Sequence, residues 1–380
     1  MSRALSPPAD STRAETGAEA VVDRIAARAF TVPTDAPEAD GTLSWSNTTL
    51  VLVEAEGGGR RGLGYSYTAA AAASLVGEML ADAVVGADAL SPPAAWERMR
   101  RTIRNAGYPG VGASAISAVD IALWDLKARL LGTALSTLLG RVRERVPVYG
   151  SGGFTSYSDT QLARQLSGWI EQDIPRVKMK VGSEPRRDPE RVRRARAAIG
   201  STAELFVDAN GAYERKQALR LAERFADEAG VSWFEEPVSS DDLEGLRLLR
   251  DRAPAGIRIA AGEYGYDIFY LRRLLEAGAV DVLQADVTRC GGITQMLRVG
   301  ALCSAHAVPL SAHTSPSLHA HVCAAIDPVV HVEYFHDHAR IERLLFDGLP
   351  PLADGALCPD AAVTGLGLEL RERDARHYER

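Results

Sequence analysis

From Val146 onward, short apolar runs alternate with amphipathic stretches: VPVYGS, RVKMKV, ELFVDAN, VSWFEEP, RIAAGEY, VDVLQADV, VPLSAH and VVHVEYF. Between them lie segments with helical apolar spacing, such as TQLARQLSGWIEQ, RKQALRLAERFADE and YLRRLLEAGA. Eight strand candidates alternating with helices over about 200 residues predict a parallel (β/α) barrel. An open doubly wound sheet is the alternative. It commonly has fewer strands and a glycine-rich phosphate loop, and the chain contains neither GxGxxG nor GxxxxGK[ST].

Before Val146 the rhythm differs. VDRIAARAFTV, TTLVLVEAEG and GLGYSY read as antiparallel strands, the last two flanking a glycine-rich turn from Gly57 to Gly62. Three helical segments follow: AAAAASLVGEMLADAVVG, PPAAWERMRRTIRN and ASAISAVDIALWDLKARLLG. Strands followed by helices predict a separate α+β domain at 21–145 ahead of the barrel at 146–345. Residues 1–20 read as a flexible tail, and 346–380 as an irregular segment that packs back on the first domain. PTDAPEADGTLSWS reads as a long polar loop, a surface loop or a lid.

In a parallel barrel the active site lies at the C-terminal ends of the strands. This chain places a polar residue at nearly every such end: Lys178 and Lys180, Asp208 and Asn210, Glu235, Glu263, Asp286, His313 and Glu333. Asp208, Glu235 and Glu263 follow one another at 27 and 28 residues, the length of one βα unit. A charge closing an apolar strand must be solvated, paired or metal-bound. Three carboxylates without cysteine or histidine form a hard oxygen site suited to Mg²⁺, with Mn²⁺ as a substitute. Period two places Lys178 beside Lys180 and turns Glu236 outward, into a structural role. Lysines about 7 Å apart repel by about 2 kcal/mol at an effective dielectric near 20, which lowers a lysine pKa and suits Lys180 to act as a base tuned by Lys178. Asp286 and His313, on adjacent strand ends, suggest a second acid/base. His306, His319, His321, His331, His336 and His338 read as structural or surface residues. Tyr264, Arg289 and Gln284 are candidates for substrate hydroxyls or a distal carboxylate.

Composition excludes more than it selects. With 43 Lys and Arg against 50 Asp and Glu, the formal charge of -7 argues against general affinity for nucleic acid or anionic membrane. No 18-residue apolar run or secretory leader is recognisable, so a cytoplasmic protein without a membrane span is expected. Cys290, Cys303, Cys323 and Cys358 show no CxxC pairing and read as reduced thiols. Arg186, Arg187, Arg191, Arg193, Arg194 and Arg196, interleaved with Asp188 and Glu190, read as a solvated helix face.

KMK at 178–180, VDAN with Asp208 and Asn210, FEEP with Glu235, GE with Glu263, the Asp286/His313 pair and HVE with Glu333 together resemble the mandelate racemase subgroup of the enolase superfamily. The resemblance implies a (β/α)7β barrel of the TIM type, capped by an α+β domain that the C-terminal segment completes. It implies Mg²⁺ on Asp208, Glu235 and Glu263, with Lys180 and His313 flanking the α-carbon of a carboxylate substrate. Asp286 would support His313, and Glu333 would act as a neutral acid on the enolate oxygen. It further implies assembly into dimers to octamers and substrate selection by capping-domain loops, making Pro33–Ser46 the lid. Acid-sugar dehydration is the favoured reaction, with Asn210, Tyr264 and Arg289 as substrate-binding residues. Racemisation of a related acid is the alternative, and a non-catalytic metal or sugar-acid binding barrel the remote one.

Overall fold

The computed structural model describes residues 20–380, so the tail expected at 1–20 lies outside the described residues except for Ala20. β1 (Val22–Ala39), β2 (Ser44–Gly57) and β3 (Arg60–Tyr67) form an antiparallel sheet in that order. Both faces of this sheet are buried. Phe30, Val32, Leu50, Leu52, Leu63 and Tyr65 pack toward the barrel, while Ile25, Ala29, Val51, Val53 and Ala55 pack on the cap helices.

The helix Val111–Leu130 is buried on nearly every side, because it fills the seam between cap and barrel. Its alanines and serines let β3 approach closely. A Cβ on Gly64 would sit 2.3 Å from Ala118 O and 2.4 Å from Ala122 N. Asp120 Oδ2 accepts from Thr294 N at 2.9 Å on the barrel side. Asp125 accepts from Leu63 N of the cap and Leu366 N of the C-terminal segment, at 2.8 and 2.6 Å.

The barrel strands are β4 (Val146–Gly152), β5 (Arg176–Lys180), β6 (Glu204–Asp208), β7 (Val231–Glu235), β8 (Arg258–Ala261), β9 (Val282–Ala285), β10 (Leu310–Ala312) and β11 (Val329–Phe335). Each pairs in parallel with the next, and β11 pairs with β4 to close the ring. Tyr149, Phe206, Trp233, Ala260 and Val282 pack together inside it. Phe206 stacks on Trp233 with ring centroids 5.2 Å apart. Two residues further along their strands come Ser151, Asp208 and Glu235, so strand alternation sets an aromatic floor directly beneath a polar mouth.

The C-terminal segment divides its contacts. Leu352–Ala353 and Ala356–Leu357 form a hairpin that pairs with the start of β4, whereas Thr31 N of the cap donates to Tyr378 O at 2.7 Å. Two sequence expectations are corrected. Pro33–Ser46 is not a long loop: β1 runs through to Ala39 and β2 begins at Ser44, with a register shift between Pro33 and Glu38. Prolines fit there because β1 is an edge strand. The arginine cluster is not uniformly solvated either, since Arg191 is buried and donates to Tyr157 O and Phe154 O, both at 3.1 Å. No helix among the described residues is long and apolar enough to cross a membrane.

Candidate active site

Strand register assembles the mouth. Parallel pairing sets Lys180 beside Asp208 and Asp208 beside Glu235. Gly262, with φ +135°, carries the chain past β9 so tightly that a Cβ would lie 2.1 Å from Gln284 O; Glu263 follows it into the mouth. The ligand atoms of the buried residues Asp208, Glu235 and Glu263 all lie within 4.8 Å of one another.

Two lysines face this triad. Lys180 Nζ is 2.5 Å from Asp208 Oδ2 and 3.1 Å from Asn210 Oδ1. Lys178 Nζ, fully buried beneath it, pairs with Glu235, with Asp208 at 3.2 Å and with Glu333 at 2.8 Å. On the opposite side His313 Nδ1 is 2.8 Å from Asp286 Oδ2, and Nε2 is 3.3 Å from Glu263 Oε2. Asp286 also accepts from Thr288 N at 2.7 Å, which fixes its orientation.

The electrostatics revise two expectations. Burial disfavours the charged form of Lys178 and Lys180, but the carboxylates outweigh it and raise both above the ordinary lysine range: Glu235 and Glu333 for Lys178, Asp208 for Lys180. Lys178 does lower Lys180, as mutual repulsion requires, but the carboxylates outweigh it and the net shift is upward. Burial likewise pushes Glu333 up, yet Lys178, His313 and Lys180 bring it down to about 2. Glu333 is therefore a carboxylate in this arrangement rather than the neutral acid implied by resemblance. It accepts from Ser151 Oγ at 2.6 Å and from Thr314 N at 3.2 Å. Glu235 is pushed well up by burial and by Asp208, while Asp208, despite burial, is held down by Lys180 and Lys178.

Glu236 also departs from expectation. It is buried, neither carboxylate oxygen has a hydrogen-bond partner, and burial with Glu263 and Asp208 nearby raises its pKa well above normal. Its φ of +37° breaks the strand alternation on which an outward side chain depended. Asn210, Thr314 and Ser315 share this left-handed backbone, with φ of +46°, +51° and +42°, so strained backbone gathers where β6, β7 and β10 end.

A cavity of about 430 Å³ opens above these groups, between barrel and cap. Lys180, Asn210, Glu263, Tyr264, Arg289, His313 and Glu333 line it. Gln284 does not; it is fully buried inside the barrel without a side-chain partner. Arg289 donates to Glu263 O at 3.1 Å and lies over the Tyr264 ring. The cap contributes Asp40, Leu43 and Trp45, which fall within the Pro33–Ser46 stretch expected to select the substrate, and Asn47, Thr49 and Tyr67, which were not identified from sequence. Trp45, Asn47 and Thr49 are alternate residues of one strand, a signal that period two contained. His338 was set aside as structural, yet it lines the cavity and stacks on Tyr67 with centroids 3.4 Å apart.

Residues 161–375 match the family described as Enolase C-terminal domain-like, and residues 24–140 match the Mandelate racemase / muconate lactonizing enzyme, N-terminal domain. The chain belongs to the mandelate racemase/muconate lactonizing enzyme family of the enolase superfamily. Within it, a mandelate racemase/muconate lactonizing enzyme-like protein from Rubrobacter xylanophilus is 60% identical with TM-score 0.93, the match covering 95% of this chain and all (100%) of that one. The structure of L-talarate/galactarate dehydratase from Salmonella typhimurium LT2, liganded with Mg and L-lyxarohydroxamate, is 28% identical with TM-score 0.87, covering 100% and 97%. D-galactarolactone cycloisomerase of Agrobacterium fabrum is 29% identical over 90% of this chain and 94% of its own.

The chain is a Mg²⁺-dependent enzyme of this superfamily. Its residues fit the ion: three buried oxygen donors converge, and Glu263 Oε2 makes no hydrogen bond of its own. Asp208, Glu235 and Glu263 would hold it.

Proposed function

We propose that the protein is an acid-sugar dehydratase, in which Lys180 and His313 exchange protons with opposite faces of a substrate α-carbon. The observation that carries this reading is that both side chains line one cavity on either side of the carboxylate triad. Held by Asp208, Glu235 and Glu263, Mg²⁺ would supply positive charge beside the substrate carboxylate. His313, with Nδ1 held by Asp286, presents Nε2 to the cavity, and as the imidazolium it delivers the Nε2 proton to the departing β-hydroxyl. One group takes the α-proton, the Cβ–O bond breaks, water leaves, and the enol becomes a 2-keto-3-deoxy acid. Lys178 holds Glu333 and Glu235 in place without lining the cavity. Asn210, Tyr264 and Arg289 bind the substrate's polar groups.

The Salmonella dehydratase supports the reaction class, and the Agrobacterium cycloisomerase marks the competing one. Screening mono- and diacid sugars and their lactones with Mg²⁺ separates them: a 2-keto-3-deoxy product formed from a free acid sugar with loss of water is expected, whereas turnover of lactones alone, without loss of water, would overturn dehydration. In D₂O, Lys180→Ala is expected to lose α-proton exchange on one face. Exchange that persists in both Lys180→Ala and His313→Asn would refute the assignment of roles.

A further inference from the structure

Outside the active site, a second group of metal-ligating side chains spans the junction of cap and barrel. Asp35 and Glu38 lie on β1, and His336 opens the helix that follows β11. His336 Nε2 is 2.9 Å from Asp35 Oδ2, and ligand atoms of all three residues lie within 4.8 Å of one another.

Glu38 is the unusual member. Its side chain is 1% exposed; one carboxylate oxygen accepts from Trp45 Nε1 at 2.8 Å, and the other, Oε1, has no hydrogen-bond partner. Native proteins rarely bury a carboxylate oxygen with nothing donated to it. The surrounding charge does not compensate. The cation that acts on Glu38 is Arg340, which is engaged by Asp337 at 2.5 Å and by Pro33 O at 2.7 Å, while Arg164 and Arg343 line the cleft beside Asp35 and His336. Burial and the neighbouring Asp337 disfavour the charged form of Glu38.

We propose that Asp35, Glu38 and His336 form a second divalent-cation site, separate from the carboxylate triad, which clips the end of β1 to the helix following β11. One imidazole and two carboxylates make a borderline donor set that favours Zn²⁺ over Mg²⁺. Three protein ligands leave one position open, and Asp35 and His336 line a cleft of about 460 Å³ through which an ion enters and water completes the shell. Neighbouring ligands of a tetrahedral zinc stand about 3.3 Å apart, so the Asp35–His336 pair separates by only a few tenths of an ångström as the ion replaces their shared hydrogen. The ion would also fix the carboxylate that holds Trp45, a residue lining the active-site cavity.

The test is Zn²⁺ titration of the full chain by calorimetry with Mg²⁺ saturating, followed by metal analysis after dialysis. One Zn²⁺ per chain beyond the triad is expected, together with a rise in melting temperature. His336→Ala, Asp35→Asn and Glu38→Gln should each weaken that binding by about tenfold or more. His336→Ala should retain Mg²⁺-supported turnover, showing that the protein is folded. Asp35→Asn, at a half-exposed position, keeps the test decisive if another variant fails to fold. No Zn²⁺ uptake in the presence of Mg²⁺, or uptake unchanged by the substitutions, would overturn the proposal.

Discussion

Asp286 Oδ2 lies 2.8 Å from His313 Nδ1, on the side of the imidazole away from the cavity. With the carboxylate accepting, the ring proton stays on Nδ1 and Nε2 faces Glu263 at 3.3 Å and Glu333 at 3.7 Å. Asp286→Asn removes the charge that sustains this tautomer while nearly preserving shape. It should lower kcat by about 10²-fold or more with little change in KM or melting temperature. A fall in stability that matches the fall in rate would show a structural role instead.

Glu235 and Glu236 are both pushed well above the ordinary carboxylate range, by burial first and then by neighbouring carboxylates. Without metal they retain protons to higher pH, so Mg²⁺ binding must displace protons. The apparent affinity for Mg²⁺ should therefore rise with pH. Calorimetry in two buffers of different ionisation enthalpy should give different apparent heats; equal heats would exclude proton release. Chelation should abolish turnover, and added Mg²⁺ should restore it.

Much of the mouth was legible because strand alternation and a βα repeat of nearly constant length constrain where each polar strand end points. Lys180, Asp208 and Glu235 follow directly from that geometry, and register places them side by side. Glu236 did not, because its left-handed backbone cancels the alternation and no local residue signals it. The protonation state of Glu333 was unreadable because Lys178, which decides it, sits on a strand 155 positions away in sequence. Prolines and acidic residues disguised the end of β1 as a loop, since an edge strand tolerates residues that a central strand excludes. The stretch expected to select substrate does reach the cavity roof through Asp40, Leu43 and Trp45, but Asn47, Thr49 and Tyr67 were missed because they come from another layer of the molecule, whose position over the barrel depends on the seam helix Val111–Leu130.

That seam has its own test. The Cβ of Gly64→Ala would meet backbone atoms of Ala118 and Ala122, which cannot swing aside as a side chain can. Overpacking of this kind typically costs about 1–3 kcal/mol, and backbone contact favours the upper end. The urea midpoint should fall accordingly. An unchanged midpoint would mean that β3 and the helix separate without cost.

Trp45 lines the cavity from the cap side, its indole N–H held by Glu38 and its ring set edge-on to Phe154 at 5.7 Å. It belongs to neither the triad nor the acid/base pair. Trp45→Ala should raise KM by about tenfold with a smaller effect on kcat, the signature of binding shared by ground and transition states. A large fall in kcat with KM unchanged would place the ring against the reacting atoms.

The buried carboxyl of Glu38 predicts a pH dependence of stability with a definite sign. Burial, then Asp337, raise it to about 8 in the folded protein, while in the unfolded chain it returns to about 4.3. Between these values the native state holds a proton that the unfolded state has released, so stability falls as pH rises through the window. The contribution is fully present below about pH 4.3 and lost once pH passes about 8. Glu38→Gln keeps a neutral acceptor for Trp45 at every pH. Compared in metal-free buffer, the urea midpoint of the wild type should decline from pH 5.5 to 8.5 more steeply than that of Glu38→Gln. Parallel profiles would show that Glu38 is already ionised at the lower pH.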